Sequence, residues 1–93
     1  MYNYSDWIEY EEEKEFVVKC EELLRRSGFK IINMVEHYFT PIGYTGIFLL
    51  SESHLAIHSF PEEQKIYIEL SSCVKEYYDN FVVSIQKYKS KTN

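Results

Sequence analysis

The chain reads as an α+β two-layer sandwich, an antiparallel four-stranded sheet with two helices on one face. Two observations carry this: apolar residues recur at helical spacing near both ends, while the middle alternates with period two and is rich in β-branched and aromatic residues. At 93 residues the chain suffices for one domain, residues 1–93, and leaves little material to enclose a large ligand cavity. A site completed by a second copy of the chain is therefore expected.

The first helix is expected to open on a capping-box pattern at Asp6 and Glu9. It continues through Phe16, Val17, Cys20, Leu23 and Leu24 and stops at Ser27-Gly28. Eight of the fifteen acidic residues fall in residues 1–27. The run Glu11, Glu12, Glu13, Glu15 reads as a solvated face favoured by the helix dipole. Four strands follow: Phe29 to Phe39, then Thr45 to Leu50 after the breaker Pro41-Ile42-Gly43, then His54 to Phe60 and Lys65 to Ser72 as a hairpin around Pro61-Glu62-Glu63-Gln64. Apolar residues on both faces make Thr45 to Leu50 the expected central strand. Val74, Tyr77, Tyr78, Phe81, Val82, Ile85 and Tyr88 form the stripe of a second helix, with a frayed tail from Lys89 to Asn93.

Fifteen acids against ten bases give a net charge of −5, which argues against nucleic acid as a partner. No apolar run approaches the ~18 residues of a membrane span. Cys20 and Cys73 lie in unrelated contexts and no secretory h-region opens the chain, so a reduced cytoplasmic setting is expected. Metal is not expected: a site from His54, His58, His37 and Cys73 can be considered, but residues i and i+4 of a strand stand ~13 Å apart, whereas zinc needs donors at ~2.0–2.3 Å.

The informative stretch is Tyr38 to Cys73. Phe39, Pro41, Gly43 and Thr45 precede a short apolar strand; Glu52-Ser53-His54, His58, Ser59, Phe60, Pro61 and Glu62 follow, then Cys73 fifteen residues after His58, with the acidic Glu69 four residues before it. This combination resembles the prokaryotic-type S-adenosylmethionine decarboxylase proenzyme, a pyruvoyl enzyme of polyamine synthesis, in three blocks at fixed separations.

The resemblance implies self-cleavage between Glu52 and Ser53, with Ser53 becoming a pyruvoyl group that forms a Schiff base with the substrate amine. It implies His58 as the processing base, Thr45 as the processing hydroxyl and Glu52 as the source of the attacked carbonyl. Cys73 would protonate the product carbanion, Phe39 would stack on the adenine, and Glu62 would contact the substrate. It further implies a homodimer in which Ser53 and Cys73 of one protomer meet Thr45 and His58 of the other.

Independently of the family, five residues of extended strand, roughly 16 Å, keep Ser53 and His58 of one chain apart. The sequence also departs from the pattern. Glu69 stands for Asp, Ser71-Ser72 for an aromatic-Thr pair and Val74 for Gly; with only Met1 to Ser5 before the expected cap, the N-terminal strand of family members is expected to be missing. Those departures motivate two alternatives, a pyruvoyl decarboxylase of ornithine or arginine, and an unprocessed, non-enzymatic homologue.

Overall fold

The computed structural model describes residues 1–92. Its elements are β1 (Tyr2–Glu9), α1 (Glu13–Ser27), β2 (Ile31–Tyr38), β3 (Tyr44–Leu50), β4 (Ser53–Phe60), a 3-10 turn at Pro61–Glu63, β5 (Lys65–Ser72) and α2 (Lys75–Thr92). All neighbouring strands pair antiparallel in the order β1-β5-β4-β3-β2. The two-layer α+β architecture is as expected, but the sheet has five strands rather than four.

The fifth strand is β1, over residues where the sequence pattern predicts only the approach to a capped helix. Asp6 is a strand residue: its carboxylate accepts from the Tyr4 hydroxyl at 2.7 Å and the Trp7 amide at 2.8 Å, and pairs with Lys89 of α2 at 2.9 Å. Burial alone would raise its pKa, but these hydrogen bonds and the Lys89 charge outweigh that and hold the carboxyl below the usual range. The helix cap falls instead on Glu12, whose carboxylate receives the amides of Lys14 and Glu15 at 3.1 and 3.0 Å. The helix ends where expected, with Gly28 at φ 113 and its amide bonded back to Arg25 and Leu24. Lys89 lies within α2, which continues to Thr92, so the expected frayed tail is helical over those residues; Asn93 lies outside the described residues.

Reading across the ladders gives rows of facing residues. Toward the helices the rows include Tyr4, Leu70, Leu55, Phe48 and Met34, and Asp6, Ile68, Ile57, Gly46 and Glu36. Phe16, Cys20, Leu23 and Leu24 of α1 with Phe81 and Ile85 of α2 join this face in one buried core. Cys20 is fully buried there and its thiol is pushed well up by desolvation, which leaves it inert. Gly46 has no side chain for a reason: a Cβ would overlap the Tyr44 hydroxyl, which reaches across it to Glu36 at 3.1 Å. β3 is interior, as its apolar faces suggested, but the middle strand is β4.

Among the described residues nothing covers the opposite face. Trp7, Val35, Ile47 and Leu49 are 43–65 % exposed on it, alongside Tyr67 and Ala56.

Because Ile8 is only 1 % exposed, Ile8→Ala should cost about 2–4 kcal/mol in a denaturant melt, whereas Ser5→Ala on the open face should stay within about 0.5 kcal/mol. Equal, small effects would remove β1 from the sheet.

Candidate active site

The Glu52-Ser53 peptide closes the β3–β4 hairpin. Leu50 and Ser53 are the last facing pair, so Ser51 and Glu52 alone make the turn. A two-residue connection needs a left-handed residue, a place usually given to glycine or asparagine. Here Glu52 takes it at φ 57, a conformation that costs a non-glycine residue about 1 kcal/mol. The carbonyl of this strained residue has two close polar neighbours: the Ser53 hydroxyl lies 2.7 Å from its oxygen and the Cys73 amide donates to it at 3.2 Å. The Cys73 amide thus polarises a peptide carbonyl beside which the Ser53 oxygen stands.

The β4–β5 register explains how Cys73 arrives there. Ser53 faces Ser72 directly across the ladder, so the residue after Ser72 leaves β5 beside the hairpin turn. Ser53 is 7 % exposed on the helix side of the sheet, and its hydroxyl also meets that of Ser72 at 2.8 Å. Cys73 is exposed, the accessible one of two free thiols. A cleft of about 400 Å³ lined by Gly28, Lys30, Ser51, Glu52, Val74 and Tyr77 opens on the Glu52 side.

The other expected residues gather elsewhere. His58 lies on the open face, its Nδ1 3.0 Å from Thr45 Oγ1, the residue directly opposite on β3. One row crosses all five strands here: Trp7, Tyr67, His58, Thr45 and His37. Phe39 follows β2, half-exposed in a loop closed by its amide on the Gly43 carbonyl at 2.8 Å, with its ring edge-on to His37 at 4.6 Å. Glu62 is exposed in the 3-10 turn after β4. Phe39, Thr45, His58 and Glu62, with Phe60 and Ile42, line a cleft of about 230 Å³.

The expected site residues therefore fall into two groups. One gathers Glu52, Ser53 and Cys73 at one end of β4; the other gathers Phe39, Thr45, His58 and Glu62 toward the opposite end and on the opposite face. Within one chain the structure does not bring Ser53 to His58. Sequence reasoning missed three contributors. Ser72 appeared there only as half of a substituted pair; Trp7 and Tyr67 extend the His58 row, and Trp7 packs on Tyr67 and Phe60 at 5.0 and 5.8 Å. The period-two alternation of Tyr2, Tyr4, Asp6 and Ile8 was the available signal for β1, and hence for Trp7.

A protein-family model described as S-adenosylmethionine decarboxylase matches residues 8–91. The S-adenosylmethionine decarboxylase proenzyme of Prochlorococcus marinus (strain MIT 9313) is 41 % identical over 49 residues, which is 53 % of this chain and 39 % of that protein. The proenzyme of Clostridium botulinum (strain Langeland / NCTC 10281 / Type F) is 32 % identical over 77 residues, 82 % of this chain and 66 % of that protein. The matches to these two relatives thus span 39 % and 66 % of their lengths. Among solved structures, the adenosylmethionine decarboxylase of Aquifex aeolicus VF5 superimposes with a TM-score of 0.75 at 16 % identity, over 95 % of this chain and 78 % of that one; at this identity the likeness speaks for the fold.

The contrast between the two thiols predicts their reactivity. Under native conditions a small alkylating agent should label Cys73 alone, and peptide mass mapping should find Cys20 modified only after denaturation.

Proposed function

As this chain belongs to the S-adenosylmethionine decarboxylase family, we propose that it is a self-processing, pyruvoyl-dependent decarboxylase of S-adenosylmethionine, yielding the aminopropyl donor for spermidine synthesis. The observation that carries the reading is the strained Glu52 carbonyl held between the Ser53 hydroxyl and the Cys73 amide. The residues fit the formation of a pyruvoyl group: a buried serine begins a strand, with its oxygen beside the carbonyl it would attack.

In this reading the Ser53 Oγ bonds to the Glu52 carbonyl carbon and the Glu52 C–Ser53 N bond breaks. The hydroxyl proton ends on the freed nitrogen, and the peptide has become an ester. Charge building on the Glu52 oxygen is met by the Cys73 amide. His58 then takes the Cα proton of Ser53, Glu52 departs as a carboxylate, and water displaces the nitrogen as ammonia. The pyruvoyl group so formed supplies an electron sink for decarboxylation of an amino acid. Cys73, exposed beside it, delivers a proton to the product carbon. Phe39 offers a ring face to the adenine, and the Glu62 carboxylate with the neighbouring aromatic rings suits a sulfonium cation.

Geometry supports a homodimer, since His58 and Thr45 are adjacent and remote from Ser53 in their own chain. In this reading a second copy packed on the open face covers Trp7, Ile47 and Leu49, and the Thr45–His58 pair of one protomer serves the Glu52-Ser53 turn of the other at the end of the sheet. The ornithine or arginine reading was motivated in part by a missing N-terminal strand, and β1 removes that motive. Two free cysteines suit a reducing cytoplasm.

Intact mass analysis of denatured protein should show fragments 1–52 and 53–93, the second lacking a free α-amine, with CO2 released from carboxyl-labelled S-adenosylmethionine. Ser53→Ala should remain one chain without activity. Wild type that stays whole would leave only the unprocessed, non-enzymatic reading. Placing a charge on the open face with Ile47→Glu should shift sedimentation toward monomer and slow cleavage at least about 10-fold; processing at the normal rate by a monomer would overturn the shared site.

A further inference from the structure

We propose that Ser72 is a positioning residue for self-cleavage, its hydroxyl turning the Ser53 nucleophile toward the Glu52 carbonyl. The inference rests on the self-processing reading and adds to it a role for position 72, where the family pattern has Thr.

Ser72 is fully buried at the end of β5, directly across the ladder from Ser53. Its own oxygen is fixed from the far side: it accepts the Val74 amide at 3.0 Å and lies 3.3 Å from the Val74 carbonyl. From that anchor it stands 2.8 Å from Ser53 Oγ, on the same side of the sheet.

The Ser53 proton has two acceptors within reach, Glu52 O at 2.7 Å and Ser72 Oγ at 2.8 Å. They have opposite consequences. Donated to Glu52, the proton occupies the space between nucleophile and carbonyl, and the hydroxyl is an idle partner of its own peptide. Donated to Ser72, whose own hydroxyl donates a hydrogen bond to the Val74 carbonyl, it leaves an oxygen lone pair free to face the Glu52 carbon. The Cys73 amide meanwhile holds the carbonyl in place. Ser72 thus selects the orientation in which the new C–O bond can form, and the proton remains in the hydrogen-bonded group until the Ser53 nitrogen receives it. No further reagent is needed.

A serine in a helix-entry turn has a structural use as well, bonding the amide two residues on, and the test must separate the two. Cleavage is followed by intact mass from the time of refolding, with thermal melts in parallel on each variant carrying Ser53→Ala so that all are compared unprocessed. Ser72→Ala should slow cleavage on the order of 10- to 100-fold, the range expected when a reacting group loses its alignment. Ser72→Thr, which restores the hydroxyl, should return cleavage to within about 3-fold of wild type. Ser72→Cys nearly keeps the shape and weakens the hydrogen bond; it should fold and still be slow, which covers the case of an Ala variant that fails to fold. Cleavage of Ser72→Ala at the wild-type rate, or equal slowing by Thr and Ala, overturns the proposal while wild-type cleavage leaves the self-processing reading intact. Wild type that never cleaves fails at the earlier step, so the two failures are distinguishable.

Discussion

The register of β4 against β5 is the constraint on which the rest of the structure depends. With Ser53 opposite Ser72, the β3–β4 turn and the exit from β5 come to the same end of the sheet, and the Cys73 amide reaches the carbonyl of Glu52. A slip of one residue would reverse every side chain of β4 between core and open face. It would put Leu55 and Ile57 into solvent and His54 and His58 among the core residues. Burial of the apolar residues therefore enforces, with no further device, the alignment of a serine, a strained carbonyl and an amide. Hydrophobic packing sets the register; the chemistry follows from it.

The same alternation divides the site. Residues five apart on a strand face opposite sides, so no rotamer change within one protomer can bring Ser53 to His58. Thr45 and His58 escape the restriction because they are cross-strand neighbours rather than residues of one strand. The separation of these two groups of residues, together with an open face bearing exposed Trp7, Ile47 and Leu49, is what the proposed homodimer rests on.

Much of this was legible in the sequence, for identifiable reasons. Period two from Lys65 to Ser72, a strong turn at Pro61, and a helix stop at Gly28 each rest on local chemistry that the tertiary structure does not override. The spacing from Thr45 to His58 could be read as a shared role but not as a hydrogen bond, because contact depends on the β3–β4 register. Asp6 misled because an acidic residue three positions before a glutamate is a local signal for a helix start, while its actual partners, Tyr4 and Lys89, include one from the far end of the chain. The contact of Ser72 with Ser53 was illegible for the same reason: a serine has no signature until the strand opposite it is known.

β1 has a consequence for a chain cut at Glu52-Ser53. The N-terminal piece would hold β1, α1, β2 and β3, and the C-terminal piece β4, β5 and α2. In the sheet order β1-β5-β4-β3-β2, the β4–β5 hairpin is clamped on one side by β1 and on the other by β3, both from the N-terminal piece. Without β1, β5 would be an edge and the cut would leave one ladder to join the pieces. With it, a ladder running from Tyr2 opposite Ser72 to Glu9 opposite Lys65 is added, and the α1 and α2 side chains share a core across the cut. Cleavage would thus release the strain at Glu52 without releasing either fragment. A chain cut at this strained turn would stay assembled because the strands on either side of the newly separated hairpin come from the other piece.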